Sequence, residues 1–296
     1  MKRLKHYLPN YLLTVILVFV IAGGSALTVI SKSILSPSFY ISSAQKHDIY
    51  QKVSDYMEDY FDKSYAVSSI PAEIYMDGLE EETIKKAVDG KINAFFDYVS
   101  GKTDSIEETE IDFTELEKNF SDFFDKFAEE NNVNVDDSFK KQLDNTIKAA
   151  EKDVNSFTNI YMLDYMEKSN ILNKLHKVYP WVSYGIIAAA AVGVICILAM
   201  IFINRKELKS VLYWLSISGI CASLIMLVPF AAVKYTDYFS RLIMRTDYIY
   251  YAVTGMLNDS VNMLAIAELG ILGASVLLMI IYAIASAVSG MGEKTE

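Results

Sequence analysis

Residues 181–233 read WVSYGIIAAAAVGVICILAMIFI-NRKELKS-VLYWLSISGICASLIMLVPFAAV: two apolar runs, Trp181–Ile203 and Val211–Val233, joined by the short polar turn Asn204–Ser210. A helix rises about 1.5 Å per residue, so roughly 20 residues cross a ~30 Å hydrocarbon core. In lipid each backbone amide must be satisfied within the segment, which an unbroken apolar run achieves only as a helix. The stretch is therefore a membrane hairpin. Its turn holds Arg205, Lys206 and Lys209, which by the positive-inside rule marks it as cytoplasmic.

Working outward, Tyr11–Ser31 (YLLTVILVFVIAGGSALTVIS) and Val261–Ala287 are two more runs of spanning length. The first follows a stretch with Lys2, Arg3 and Lys5 and no acid, again cytoplasmic. Ala22-Gly23-Gly24-Ser25-Ala26 resembles a weak signal-peptidase site. However, a cleaved signal has an apolar region of roughly 7–15 residues, whereas this run continues to Ile30, so an uncleaved anchor is expected. The alternation then predicts segment 1–10 inside, 11–31 crossing, 32–180 outside, 181–203 crossing, 204–210 inside, 211–233 crossing, 234–260 outside, 261–287 crossing and 288–296 inside. Tyr179, Trp181, Tyr184, Tyr213 and Trp214 fall where interfacial aromatic belts belong. The fold class expected is an all-α integral membrane protein, with four transmembrane helices and a large extracytoplasmic helical bundle inserted between the first and second.

The composition agrees. Apolar residues make up 52% of the 296, and mean hydropathy is +0.23. The net charge of −10 is concentrated: residues 32–180 carry 30 acidic and 17 basic side chains, about −13. That balance excludes a nucleic-acid binder, which needs a clustered basic face. Four Arg among 27 basic residues, with 20 Tyr, suggests an AT-rich genome and a low-GC bacterium. Cys196 and Cys221 both lie in apolar runs, so the polar region is not a disulfide scaffold and must fold on its own core.

Region 32–180 shows helical periodicity nearly throughout. Ile49, Val53, Met57, Tyr60 and Phe61 form one stripe; Ile84, Val88, Ile92, Phe95, Phe96 and Val99 form a second. Leu116, Phe120, Phe123, Phe124 and Phe127 make a third. Phe139, Leu143, Ile147, Ala150, Val154 and Phe157 make a fourth, which is extended through Leu175 into the second span. Asp112-x-x-Glu115 resembles a capping box, and Ser69-Ile70-Pro71 puts proline just inside a short helix. Breaks are expected at Gly101–Asp112 and Asn131–Asn134. Such helices bury their stripes only against one another, which gives a bundle.

Chemistry-bearing motifs are sparse. The chain has no HExxH, GxSxG, Walker GxxxxGK[ST] or CxxC. His6, His47 and His176 lack a second ligand at helical spacing, and no residue set for a metal or cofactor stands out. The clusters Glu80-Glu81-Glu82 and Glu107-Glu108-x-Glu110-x-Asp112 lack the order and glycine of a calcium loop, and read as solvated. Glu268 is different. It lies inside the fourth run, where an intramembrane carboxyl is a functional candidate by default. Ser275, Tyr282 and Ser286 return to within about 40° of it at 100° per residue, a polar stripe along the helix. The stripe reads either as an ion or proton path or as polar groups satisfied within the bundle; Lys234, at the end of the third run, is a candidate counter-ion.

Two ladders of small residues suit close helix packing and leave room for a homo-oligomer. One consists of Gly185, Ala189 and Gly193 on the second run, the other of Gly270 and Ala274 on the fourth. The outer segment 234–260, with Tyr235, Tyr238, Phe239, Leu242, Tyr248, Tyr250 and Tyr251, reads as one or two short interfacial helices or as a floor under the bundle. Without a catalytic constellation, the leading expectation is a non-enzymatic cell-membrane protein whose outer domain binds a partner or senses a ligand. Its partners would be the bilayer and another membrane or envelope protein. In topology and length the chain is also similar to ABC permeases of the MacB and FtsX type, which implies a transporter subunit. Against that resemblance, the turn 204–210 is short for a coupling helix, and the amphipathic N-terminal helix is missing. A membrane enzyme is the third reading.

Overall fold

The computed structural model describes residues 4–106 and 109–292. Lys2, Arg3, Glu107, Glu108 and the tail after Gly292 lie outside the described residues, as do the side chains of Lys5 and His6. The chain is 82% helical, with no strand among the described residues. In order the helices are α1 (Leu4–Lys32), α2 (Pro37–Lys46), α3 (Ile49–Ser68), α4 (Ala72–Met76), α5 (Glu81–Val99), α6 (Thr114–Asn131), α7 (Asp137–Phe157), α8 (Leu163–Lys168), α9 (Ile171–Ile203), α10 (Lys209–Tyr235) and α11 (Asp247–Gly292). A 3₁₀ turn, Tyr238–Arg241, lies between the last two. Four helices, in α1, α9, α10 and α11, are long and apolar enough to cross a membrane.

The residues divide into two compact units, an apolar one (Met1–Ser36, Lys177–Arg241, Leu257–Glu296) and a polar one (Pro37–His176, Leu242–Met256). In the apolar unit the small residues of α9 lie against α1. A Cβ on Gly185 would lie 2.8 Å from Leu27 Cδ1, one on Gly193 would lie 3.6 Å from Val20 Cγ1, and one on Gly24 would lie 3.4 Å from Ala189 Cβ. Absent side chains here let two backbones approach, the usual basis of helix contact in lipid. Further along, Leu17, Cys196, Met200, Val211 and Trp214 form a buried cluster of α1, α9 and α10.

The polar unit is built on the first two stripes. Ile49, Val53, Met57 and Phe61 of α3 and Ile84, Val88, Ile92, Phe95, Phe96 and Val99 of α5 are all buried. Rings fill the remaining space: Phe61 stacks on Tyr75 at 3.9 Å, and Tyr75 meets Phe120 edge-on at 4.9 Å. Gly78 admits the α6 backbone, since a Cβ there would stand 2.6 Å from Leu116 Cα. The third and fourth stripes are only partly used. Leu116, Phe120, Ala150 and Val154 are buried, whereas Phe123, Phe124, Phe139, Leu143 and Ile147 are half-covered and Phe127 is exposed.

Several boundaries differ from the sequence reading. Residues 247–260 are not separate interfacial helices but the first turns of α11, continuous with the fourth span. Tyr248 is buried 4.9 Å from Tyr56, and Lys52 lies over Tyr251, so residues 247–256 join the polar bundle. The fourth stripe does not run on into the second span. The chain breaks after Phe157, and Met162 and Asn170 take positive φ of 55° and 59° on either side of α8. Asp112 does not form the expected box: its carboxylate accepts from Thr114 N at 3.1 Å, one residue short of the capping-box spacing. Pro71 is the N-cap of α4 rather than its first residue.

Candidate functional site

On α11 the polar stripe faces inward. Glu268 is fully buried, and Ser25 Oγ, on α1, donates to its Oε1 at 2.5 Å. The same hydroxyl lies 2.9 Å from Ala22 O. Ser275 donates to Ile271 O at 2.7 Å and sits where α10 comes closest, since a Cβ on Gly219 would fall 1.9 Å from its Oγ. Tyr282 packs on Tyr213 with ring centroids 5.2 Å apart. On α10, Ser216 contacts Met279 Sδ at 3.6 Å, and Ser223 is buried, donating to Gly219 O.

Three buried side-chain oxygens on α1 and α11 have no hydrogen-bond partner among the described residues: Glu268 Oε2, Thr14 Oγ1 and Ser286 Oγ. Ser286 is 18 residues from Glu268, five full helical turns, and Thr14 is 11 residues from Ser25, within about 20° of the same face of α1. Ser25 is the point at which this face of α1 meets Glu268. Sequence reasoning found the α11 half of the seam and missed the α1 half. A lone Ser and a lone Thr in an apolar run carry little signal by themselves.

Lys234 is not the partner of Glu268. It is exposed, and its Nζ donates to Asn258 Oδ1 at 3.4 Å. Asn258 precedes Glu268 by ten residues, about 15 Å along the helix axis.

The second small-residue ladder is also corrected by the structure. Gly270 does not pack against a neighbouring helix of the chain: it is exposed, and a Cβ on it would meet nothing within 4 Å. Ala274, the other member of this ladder, is exposed as well. The reason is angular. Gly270 and Ala274 follow Glu268 by two and six residues, which turns both to the opposite side of a helix whose Glu268 face is buried.

A polar pair that sequence reasoning overlooked closes the other end of this unit. Asn10 Nδ2 donates to Asn204 Oδ1 at 3.1 Å, and Asn204 Nδ2 returns a bond to Asn10 Oδ1 at 2.8 Å.

In the polar unit the two acidic clusters converge. Asp77, Gly78, Glu80, Thr83, Asp112 and Glu115 line one open pocket of about 220 Å³. Asp89 accepts from Tyr50 at 2.7 Å, and burial raises its carboxyl above the ordinary range even though that bond acts the other way. Lys91 donates to Asn155 O, and burial lowers its ammonium to about 8. His176 bonds Tyr98 O through Nδ1 at 2.9 Å beside the positive-φ Gly101, a local brace. Beyond Phe120 and Ala150, the α6–α7 hairpin packs on itself, with Phe124 on Phe139 at 5.8 Å. Its outer end exposes Phe127, Val133 and Val135, flanked by exposed Asp122, Asp125, Glu129 and Glu130.

Compared with protein-family models, with curated proteins and with solved structures, the chain gives no match.

Proposed function

We propose that this chain is a non-enzymatic protein of a bacterial cell membrane, crossing it four times with both ends in the cytoplasm. Its acidic helical unit stands outside and binds a basic segment of another envelope protein. The observation that carries the reading is the end of the α6–α7 hairpin, where Phe127, at 47% exposure, Val133 and Val135 lie in water among four exposed acids. Exposed apolar side chains grouped within a polar rim are the usual mark of an interaction surface. The surplus of acid selects a partner of opposite charge and speeds its approach. For the topology, support comes from the basic residues at 2–5 and 205–209. The Asn10–Asn204 pair adds to it by joining the start of α1 to the 204–210 turn at one end of the apolar unit.

The test is site-specific photocrosslinking in cells. A photoreactive residue at Phe127 of the full-length protein should give a discrete adduct whose crosslinked segment is basic and amphipathic. Neutralising Asp122, Asp125, Glu129 and Glu130 together to amides should reduce that adduct several-fold. No adduct at 127, or the same products as from a photoreactive residue at exposed Lys63, rejects the reading.

A second reading, a transporter subunit, draws on the buried seam around Glu268. Crosslinking from Lys206 discriminates the two, because an ATPase captured there supports transport over envelope binding.

A further inference from the structure

We propose that Glu268 and Ser25 form a proton-binding site inside the membrane, which exchanges its proton through the seam leading past Ser275 and Tyr282 to Thr14 and Ser286. The proposal stands whether or not the outer unit binds a basic partner. Glu268 is the one residue of charged type in the four apolar runs: no Asp, Glu, Lys, Arg or His occurs in 7–31, 178–203 or 210–233, nor elsewhere in 260–288. The nearest charged groups on the elements around it lie at their ends. They are Lys32 on α1, Lys234 on α10, which is turned to Asn258, and Asp259, nine residues earlier on α11. A buried carboxylate without a cation is a costly species in a medium of low dielectric, so the geometry assigns the role of counter-charge to a proton. A metal ion fits poorly, since one carboxylate and one hydroxyl fall well short of the 6–8 oxygens a hard cation such as Ca²⁺ takes.

The arrangement also gives the two oxygens different roles. Oε1 accepts the Ser25 hydroxyl, and Oε2, which has no partner among the described residues, is free to carry the proton. Below it, Ser275, Tyr282 and Ser286 follow at about 10, 21 and 27 Å along the axis. Thr14 lies about 16 Å from Ser25 along the same face of α1. Thr14 Oγ1 and Ser286 Oγ are the other unpartnered oxygens of α1 and α11. These hydroxyls are spaced along the helices toward the end of the unit where α1 begins, and the proposal has the proton exchange in that direction.

The proposal is tested by infrared spectroscopy of the full-length protein reconstituted in lipid, recorded as bath pH is varied. The wild type should show the carbonyl stretch of a protonated carboxyl, missing from Glu268→Gln, and its intensity should fall along a single titration as pH rises. Ser25→Ala removes the donor to Oε1, so the same band should move to higher wavenumber. Proton affinity should rise about tenfold, a midpoint shift of about one pH unit, because the lost bond favours the anion. Ser25→Thr should restore both. Should Glu268→Gln fail to fold, the band that moves in Ser25→Ala identifies the group. A band that does not change with pH would mean a locked carboxyl and would overturn the proposal. So would the absence of any such band, or a Ser25→Ala spectrum and titration identical to the wild type.

Discussion

Asn10 and Asn204 exchange amide hydrogen bonds of 3.1 and 2.8 Å across 194 residues of sequence, and thereby fix the register of α1 against the end of α9. The ladder above them follows from that register: Leu17 meets Cys196 and Met200, Val20 meets Gly193, Gly24 meets Ala189 and Leu27 meets Gly185.

Removing either member of the pair should therefore cost about what side-chain bonds between membrane helices usually cost, roughly 0.6 to 1.7 kcal/mol. Asn10→Ala and Asn204→Ala should each lower the melting temperature in detergent. The double variant should lose little more than either single one. Fully additive losses would show that the two amides act separately.

Gly219 and Gly270 should respond in opposite ways to the same substitution. Gly219→Ala drives a methyl against Ser275, whose own Cβ would be 3.0 Å away, and overpacking of this kind costs about 1–3 kcal/mol. Gly270→Ala meets nothing and gains helix propensity, so it should be neutral or stabilising by up to about 1 kcal/mol. Thermal melts of the two variants in one detergent make the comparison.

Among the aromatic residues of the α6 stripe, position along the helix decides the effect. Phe120→Ala empties a fully buried site beside Tyr75 and should destabilise the polar unit by about 3–5 kcal/mol. Phe127→Ala should change stability by less than about 0.5 kcal/mol, while weakening capture of the proposed partner. Hydrogen exchange over α5 and α6 in the full-length protein reads the first effect.

Lys91 gives the polar unit a defined alkaline response. Its folded value of about 8 lies below the ordinary lysine value of 10.5 because burial disfavours the ammonium. Between these values the unfolded chain binds more protons than the folded one, so stability should rise with pH over that interval. Tyr40 has the opposite sign: burial pushes its hydroxyl up to about 12, so its contribution is lost as pH climbs from 10 toward 12. A stability maximum near pH 10 is expected. Lys91→Met should flatten the rise from 8 and leave the fall above 10.

Topology is checked by accessibility. In a background lacking Cys196 and Cys221, a cysteine at Ser105 should react with an impermeant thiol reagent in intact cells. A cysteine at Glu207 should react only after lysis. Labelling at 207 in intact cells would reverse the assignment.

The sequence was most informative where one physical variable decides structure. Hydropathy and length marked four spanning helices, and the 3.6-residue period picked out Ile49, Val53, Met57 and Phe61 as a buried face. It was less informative where conformation and hydropathy diverge. Asn258, Asp259 and Ser260 end an apolar run without ending a helix, so residues 247–260 resembled a loop although α11 passes straight through them. Periodicity states that Phe123, Phe124 and Phe127 share a face but not how long the opposing helices are, and here α4 covers only the first half of α6. Small-residue spacing was equally ambiguous: it located the packed face of α9 but on α11 picked out Gly270 and Ala274, which are exposed. Partnerships across long separations left no local trace. Ser25 with Glu268 and Asn10 with Asn204 needed the fold, and the inferred Lys234 pairing failed on axial distance alone.

The bond between Asn10 and Asn204 also sets a timetable for biogenesis. At about 5–20 residues per second, the ribosome needs about 10–40 s to make the 194 positions separating them. Until the end of that interval the segment that will cover the Gly24 and Val20 face of α1 is not complete. On the proposed topology the small-residue face waits in contact with lipid or with a membrane insertase, and residues 37–176 of the polar unit leave the translocation channel before α9 arrives to close it. Assembly of the apolar unit is thus necessarily late, and agents that stall elongation between residues 37 and 176 should leave α1 as a solitary anchor carrying an unfinished domain.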